Sequence, residues 1–185
     1  QSLIFDETSS ITYFEEVLEM LLVRFELPVL KRLIISFDQP EQFEYWAQLY
    51  RASRESKELL AESQQLAFSL NAWIRDVLKK PVKLKKQIGF VPIYAHLCGQ
   101  LELDVAEVLT AYTFTVLENQ VLAAVKTVPL GQMSGQRILW HVHGLIPEGI
   151  ERALALQDAE LSSALPNYAM LSMAHETQYS RLFRS

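Results

Sequence analysis

The chain has 185 residues and a mass of 21.2 kDa, with 17 basic and 22 acidic side chains and a net charge of −5. Folded surface grows slowly enough with mass that a chain of this length buries roughly 70% of its unfolded surface, enough for one domain with a core that needs no staples. Half the residues are apolar and only 6 are Gly and 7 are Pro, which excludes a collagen-like repeat, a disordered chain and a turn-rich sandwich. The acid excess, with pI near 5.4, disfavours a phosphate backbone as partner. Arg24, Glu26, Pro28, Lys31 and Arg32 interrupt the most hydrophobic stretch, so no uninterrupted apolar run of bilayer length is expected. Cys98, the one cysteine, cannot form an internal disulfide, and no basic-then-apolar secretory start is seen; a cytoplasmic protein is the expectation.

In chain order, caps and prolines divide the sequence into about eight helical stretches of a single all-α domain spanning residues 1–185. Thr12-x-x-Glu15 has capping-box spacing, and Phe14, Val17, Leu18, Leu21 and Leu22 follow at helical intervals. Pro28 is expected to end or restart that helix. Ile34-Ile35-Ser36-Phe37 is the sole β-branched run and is too short to found a sheet. Asp38-Gln39-Pro40-Glu41 sets a cap-type aspartate before a first-turn proline. From Arg51 to Glu62, Arg51 with Glu55 and Arg54 with Glu58 stand one turn apart and read as an exposed helical face. Lys79, Lys80, Lys83, Lys85 and Lys86 cluster around Pro81 as a basic loop.

Asp104-x-x-Glu107 caps the best-defined helix, which runs to about Lys126 and spans roughly 35 Å at 1.5 Å per residue. Val105, Val108, Leu109, Tyr112 and Val116 form its first apolar stripe. Phe114, Leu117, Val121, Leu122 and Val125 then make it apolar almost all round, as befits a central helix or one between subunits. Counting at 100° per residue aligns Asn119 with Val105, Tyr112 and Val116, so a buried amide that fixes packing or meets a partner backbone is expected there. Lys126 places a cation at the helix's negative pole. Pro129 and Gly131 break the helix, another is expected over about residues 135–145, Pro147 starts a short one, and Pro166-Asn167 precedes the last.

Site chemistry is sparse. His141-x-His143 would point its rings about 200° apart on a helix, and His96 with Cys98 fails by the same geometry, so neither pair grips one ion. Gly131-Gln-Met-Ser-Gly135-Gln-Arg lacks P-loop spacing and the Lys-Ser/Thr pair that reaches phosphate and magnesium. No nucleophile elbow, zinc-protease or cysteine-protease pattern is present. The reading is a protein that is not an enzyme and uses no cofactor. The C-terminal run from Thr177 to Ser185 holds two aromatics and two arginines, types enriched at interface hot spots, and reads either as a docking peptide or as a tail packed on its own domain.

Three blocks carry a family likeness. Ala52-Ser-Arg-Glu with Glu58-Leu and Ala61-Glu-Ser63 is the first, and Leu117-Glu-Asn-Gln-Val121 with Ala124-Val-Lys-Thr-Val-Pro-Leu-Gly-Gln132 and Gly135-Gln136 is the second. His175-Glu-Thr-Gln-Tyr-Ser-Arg-Leu-Phe-Arg-Ser185 is the third. Together they resemble the urease accessory protein UreF family over nearly the whole chain. Members usually begin with a Ser/Pro/Gly/Phe-rich segment ending in Gln-Gly-Leu-Glu, and Gln1-Ser-Leu3-Ile4 stands at its end here, so an N-terminal segment is expected to be missing.

The resemblance implies an all-helical, non-enzymatic, homodimeric protein that helps nickel enter urease by bridging UreD (also called UreH) and the nickel-carrying GTPase UreG on apo-urease. On that likeness Thr177, Gln178, Tyr179, Ser180, Arg181, Leu182, Phe183, Arg184 and Ser185 are expected to bind UreD/UreH. Lys126 and Gln132, with Glu118 and Asn119 nearby, are expected on a surface tied to the GTPase or to dimer assembly, and Tyr112 and Phe114 at the dimer contact. The alternative is a GTPase-activating factor that lends Arg54 or Arg137 to the partner's site. Direct nickel carriage is a third reading, against which the histidine spacing speaks.

Overall fold

Asp6, rather than Thr12, begins the first helix of the computed structural model, which describes residues 4–54, 57–80 and 89–162. The Asp6 carboxylate accepts the Ser9 amide at 2.8 Å, and Ser9 Oγ accepts the Asp6 amide at 3.1 Å, a reciprocal box that satisfies two donors no helical carbonyl reaches. The Thr12 hydroxyl instead donates to the Thr8 carbonyl, as a mid-helix threonine does. All described elements are helices, without a strand among the described residues. They are α1 (Glu7–Glu16), a π-helical stretch (Val17–Glu26), α2 (Leu27–Ile35), α3 (Pro40–Ala52), α4 (Lys57–Trp73) with a π-helical end (Ile74–Leu78), α5 (Phe90–Gln100), α6 (Val105–Thr127) and α7 (Gly131–Ala155), then a 3₁₀ turn (Asp158–Glu160).

Because α1, the π stretch and α2 follow without a break, these elements make six continuous helical runs among the described residues, against about eight expected. Two prolines account for much of the difference. Pro28 has no amide hydrogen for the Arg24 carbonyl four residues earlier, and the Ser162 amide donates to that oxygen instead, at 3.1 Å. Pro147 lies inside α7 rather than at the start of a new helix. The charged run from Arg51 is not one helical face: α3 ends at Ala52 and α4 starts at Lys57. At α3 the cap position is Gln39 rather than Asp38, with Pro40 in the first turn and no side-chain cap bond.

The chain divides into two compact units, residues 1–31 with 103–164 and residues 32–102 with 165–185. In the first, α6 and α7 pack along each other and α7 also packs on α1 and the π stretch. Phe14, Val17, Leu22, Leu109, Leu117, Ile138, Val142 and Ile146 form its core. Lys31 Nζ donates to the Leu154 carbonyl near the end of α7 at 2.7 Å. In the second, α4 packs on α5, and Ser63 Oγ accepts the Phe90 amide at 3.0 Å, tying the start of α5 to α4. Gly99 lets α5 lie against Phe37, since a Cβ there would stand 2.5 Å from the ring. Lys79 closes the π-helical end of α4 in a left-handed conformation (φ 55°), and the remainder of the basic run, 81–88, lies outside the described residues.

Asp104 caps α6 as its spacing predicts, accepting the Glu107 amide at 2.9 Å. The buried side of this helix drifts. Val108, Leu109 and Tyr112 define it in the first half, whereas Leu117, Val121 and Ala124 define it in the second, roughly 150° further round at 100° per residue. That drift corrects the expectation for Asn119, which lies on the first-half stripe after the core has moved away from it and is exposed. The helix has the length and mean hydropathy, 1.2, of a membrane-crossing segment, and seven of its side chains are buried in the protein core.

Candidate functional site

Where α6 ends, Lys126 occupies the last turn and is exposed. Among the described residues it makes no ion pair or hydrogen bond. The Val128 amide donates to the Ala124 carbonyl at 2.8 Å and the Leu130 amide to the Val128 carbonyl at 2.7 Å, which turns the chain tightly before α7. Gly131 takes φ +68°, a left-handed conformation that glycine adopts without strain. Gln132 follows and is exposed. Asn119, seven residues before Lys126, shares its face of α6 roughly 10 Å along the axis. Glu118 adjoins them, half-buried. Lys126, Gln132 and Asn119 are thus all exposed to solvent around the end of α6.

What holds that surface in place is the contact of α6 with α7. Gly135 lies so close to α6 that a Cβ would stand 2.6 Å from Val125 Cγ2 and 3.9 Å from Val121 Cγ1. Tyr112 is buried, and its hydroxyl donates to Oε1 of Glu26, a carboxylate equally withdrawn from water at the end of the π stretch. Such a residue is part of the unit's interior and offers little to another protein. Phe114 is half-buried, meets the His143 ring edge to face at a centroid separation of 5.8 Å, and keeps part of its ring outward. The stretch 177–185 lies outside the described residues.

The two arginines considered for a partner's GTPase site are both engaged within the chain. Arg137 pairs in bidentate fashion with Glu7, Nε to Oε1 at 2.8 Å and Nη2 to Oε2 at 2.6 Å, and also donates to Ser134 Oγ at 3.0 Å. Arg54 lies over the Tyr50 ring, 4.4 Å from its centroid. The hydrogen bonds from Arg137 hold the Glu7 carboxyl down at about 2. A carboxylate lowered in the fold adds its stabilisation above its ordinary value and loses it as pH falls through about 2, so this clip from α1 to α7 holds throughout the neutral range. Arg137→Met is expected to speed amide exchange in the first turns of α1 while α7 stays protected, a difference that hydrogen-exchange mass spectrometry reads directly.

The histidines have local partners. His141 Nε2 lies 2.7 Å from Glu15 Oε1, and His143 meets Phe114. His96 is edge-on to Phe37 and Phe43, and burial pulls its pKa down. Burial likewise pushes the Cys98 thiol up, which disfavours the thiolate a metal needs. Among the described residues no group of three His, Cys, Asp or Glu side chains is placed to hold a metal ion. Sequence reasoning missed the outward face of α7, where Trp140 and Met133 are 82% and 68% exposed. Their seven-residue spacing was the available signal.

Comparison with known proteins places the likeness on firm ground. Residues 4–143 match the UreF family model. A urease accessory protein UreF from Nitrosospira multiformis is 38% identical over 193 aligned residues, covering 100% of this chain and 85% of that protein. The one from Methylobacillus flagellatus is 37% identical, covering 97% and 83%. A third, from Ralstonia pickettii, is 40% identical over 158 residues, covering 80% and 68%. Full-length similarity to accessory proteins, on an all-helical fold, identifies the chain as a member of the UreF family of urease accessory proteins.

Proposed function

We propose that this chain is a non-enzymatic adaptor that bridges UreD/UreH and the GTPase UreG during nickel insertion into apo-urease, and that it works as a homodimer in the cytoplasm. The observation that carries the reading is the outward surface at the α6–α7 turn, where Lys126 is exposed and without an ion-pair partner among the described residues, beside Gln132 and in line with Asn119. A lysine needed only for its helix would contribute a few tenths to about 1 kcal/mol through the helix dipole. The same group opposite a partner's carboxylate adds a charge-assisted hydrogen bond and speeds encounter. Coupling the GTPase's nucleotide state to metal release then requires that this surface contact the two states differently. Phe114, with part of its ring outward, suits a subunit contact better than the buried Tyr112. Residues 177–185 serve as the UreD/UreH docking peptide, with Arg181 and Arg184 for bidentate pairing and Tyr179 and Phe183 for buried area.

The test is capture of each partner by three forms of the protein, with circular dichroism on each. Lys126→Ala should weaken UreG capture about tenfold or more with helicity unchanged, whereas a chain ending at Gln178 should keep its helicity and lose UreD/UreH. Undiminished capture by both variants would overturn the assignment.

A further inference from the structure

We infer that residues 155–162 form a strap fastened across the turn at Pro28, and that Pro28 and the Ser162 amide are positioning residues, fixing the point from which the C-terminal docking run leaves the domain for UreD/UreH. The inference rests on the docking-peptide reading of residues 177–185 and adds to it the device that presents them. Two local facts make the turn. The Leu27 amide donates to the Leu22 carbonyl, five residues back, so the wide π register persists up to the residue before the proline. Pro28 then withholds the amide that the Arg24 carbonyl would accept in an α register. Pro28 and the residues on either side of it are buried, and a carbonyl left without a donor in such surroundings is costly. The Ser162 amide answers that carbonyl at 3.1 Å. Three residues beyond Pro28, Lys31 Nζ donates at 2.7 Å to the carbonyl of Leu154, in the last turn of α7, where carbonyls lack helical donors and a cation suits the negative pole.

One stretch of helix, Arg24 to Lys31, therefore holds the chain at both ends of residues 155–162. Between those ends the strap keeps its own shape. The Gln157 amide donates to Glu160 Oε2 at 2.8 Å and the Glu160 amide to the Gln157 carbonyl at 3.1 Å, while Leu156 and Leu161 are half-buried on either side of the exposed residues 157–160. Arg152 pairs with Glu19 at 2.7 Å, which ties the end of α7 to the π stretch independently of Ser162. α7 can thus stay in place when the strap's outer end lets go. That outer bond is a backbone bond, and the Ser162 side chain is exposed, so the contact reads position rather than side-chain identity. The docking run begins fifteen residues after Ser162. With the strap closed, the origin of that run is set before the partner arrives. With it open, the residues after α7 must be ordered at the moment of binding, at a cost in affinity. The loss is bounded by the net worth of the hydrogen bond that closes the strap, about two- to tenfold.

The test is the affinity of the full chain for UreD/UreH, with amide exchange measured on each variant. Ser162→Pro removes the donor and leaves residues 177–185 intact, and Leu161, at φ −63° and ψ 127°, already has the extended backbone that a following proline favours. It should weaken capture about two- to tenfold and speed exchange of the Glu160 and Leu161 amides while α6 and α7 stay protected. Ser162→Ala keeps the amide and should match the parent in both readouts. Pro28→Ala approaches the same bond from the other side, since it gives the Arg24 carbonyl a donor within the helix, and it should loosen the strap with helicity retained. In the Pro28→Ala background Ser162→Pro should add little, a non-additivity that places both effects in one contact. Parental capture and exchange in Ser162→Pro, or an equal loss in Ser162→Ala, would overturn the strap while leaving the docking reading intact. Undiminished capture by a chain ending at Gln178 would overturn the docking reading, and the positioning role with it.

Discussion

Gly135→Leu should cost about 3 kcal/mol or more, read as a lowered urea midpoint, and should weaken capture of UreG in proportion to the fraction unfolded. At this point a β-carbon would come 2.6 Å from Val125 Cγ2, inside van der Waals contact, and the helices must separate or Val125 must leave its rotamer. Valine is stiff at its first side-chain torsion, so the second route is also expensive. Gly135→Ala sets a gain of roughly 0.5–1 kcal/mol in helix propensity against the same overlap. It should therefore be far milder, and Val125→Ala should relieve it. That non-additivity, measured as a double-mutant cycle, locates the effect in the α6–α7 contact rather than in either helix alone.

Tyr112 distinguishes interior from interface just as clearly. Tyr112→Phe removes the hydroxyl that donates to Glu26 and leaves a buried carboxylate one partner poorer, at a cost of about 1–3 kcal/mol. Tyr112→Ala adds a cavity and should cost about 3–5 kcal/mol. Neither should alter the self-association constant of the molecules that remain folded. Lys126→Ala should show the opposite profile, with a stability change within about 1 kcal/mol and a clear loss of partner capture. Were Tyr112→Phe to dissociate a stable dimer without lowering the urea midpoint, its placement in the core of the subunit would be wrong.

Much of the architecture is legible in the sequence because it is set by local rules. Asp104 three residues before Glu107, Pro129 after Lys126 and the long apolar repeat between them define α6 to within a residue. The misreadings share a cause. Thr12-x-x-Glu15 and Asp6-x-x-Ser9 are both cap patterns, and only the surrounding chain decides between them. Pro28 breaks a helix by its own chemistry, yet an amide from 134 positions later replaces the bond it cannot make. The Glu26–Tyr112 pair joins residues 86 positions apart, a separation on which periodicity is silent. Asn119 fails for a subtler reason: counting at a fixed angle assumes that the core stays on one side of a helix, and along α6 it does not. Lys126 and Gln132 stand out in the sequence through the family likeness, whereas Trp140 and Met133 look like core residues until their exposure is seen.

The shifting buried side of α6 has a mechanical consequence. A helix gripped on one side can roll or slide by a turn and find an equivalent seat. One gripped on nearly opposite sides at its two ends cannot, because any rotation that relieves Leu117 and Val121 forces Tyr112 off its carboxylate. α6 is thereby held against rotation at both of its ends.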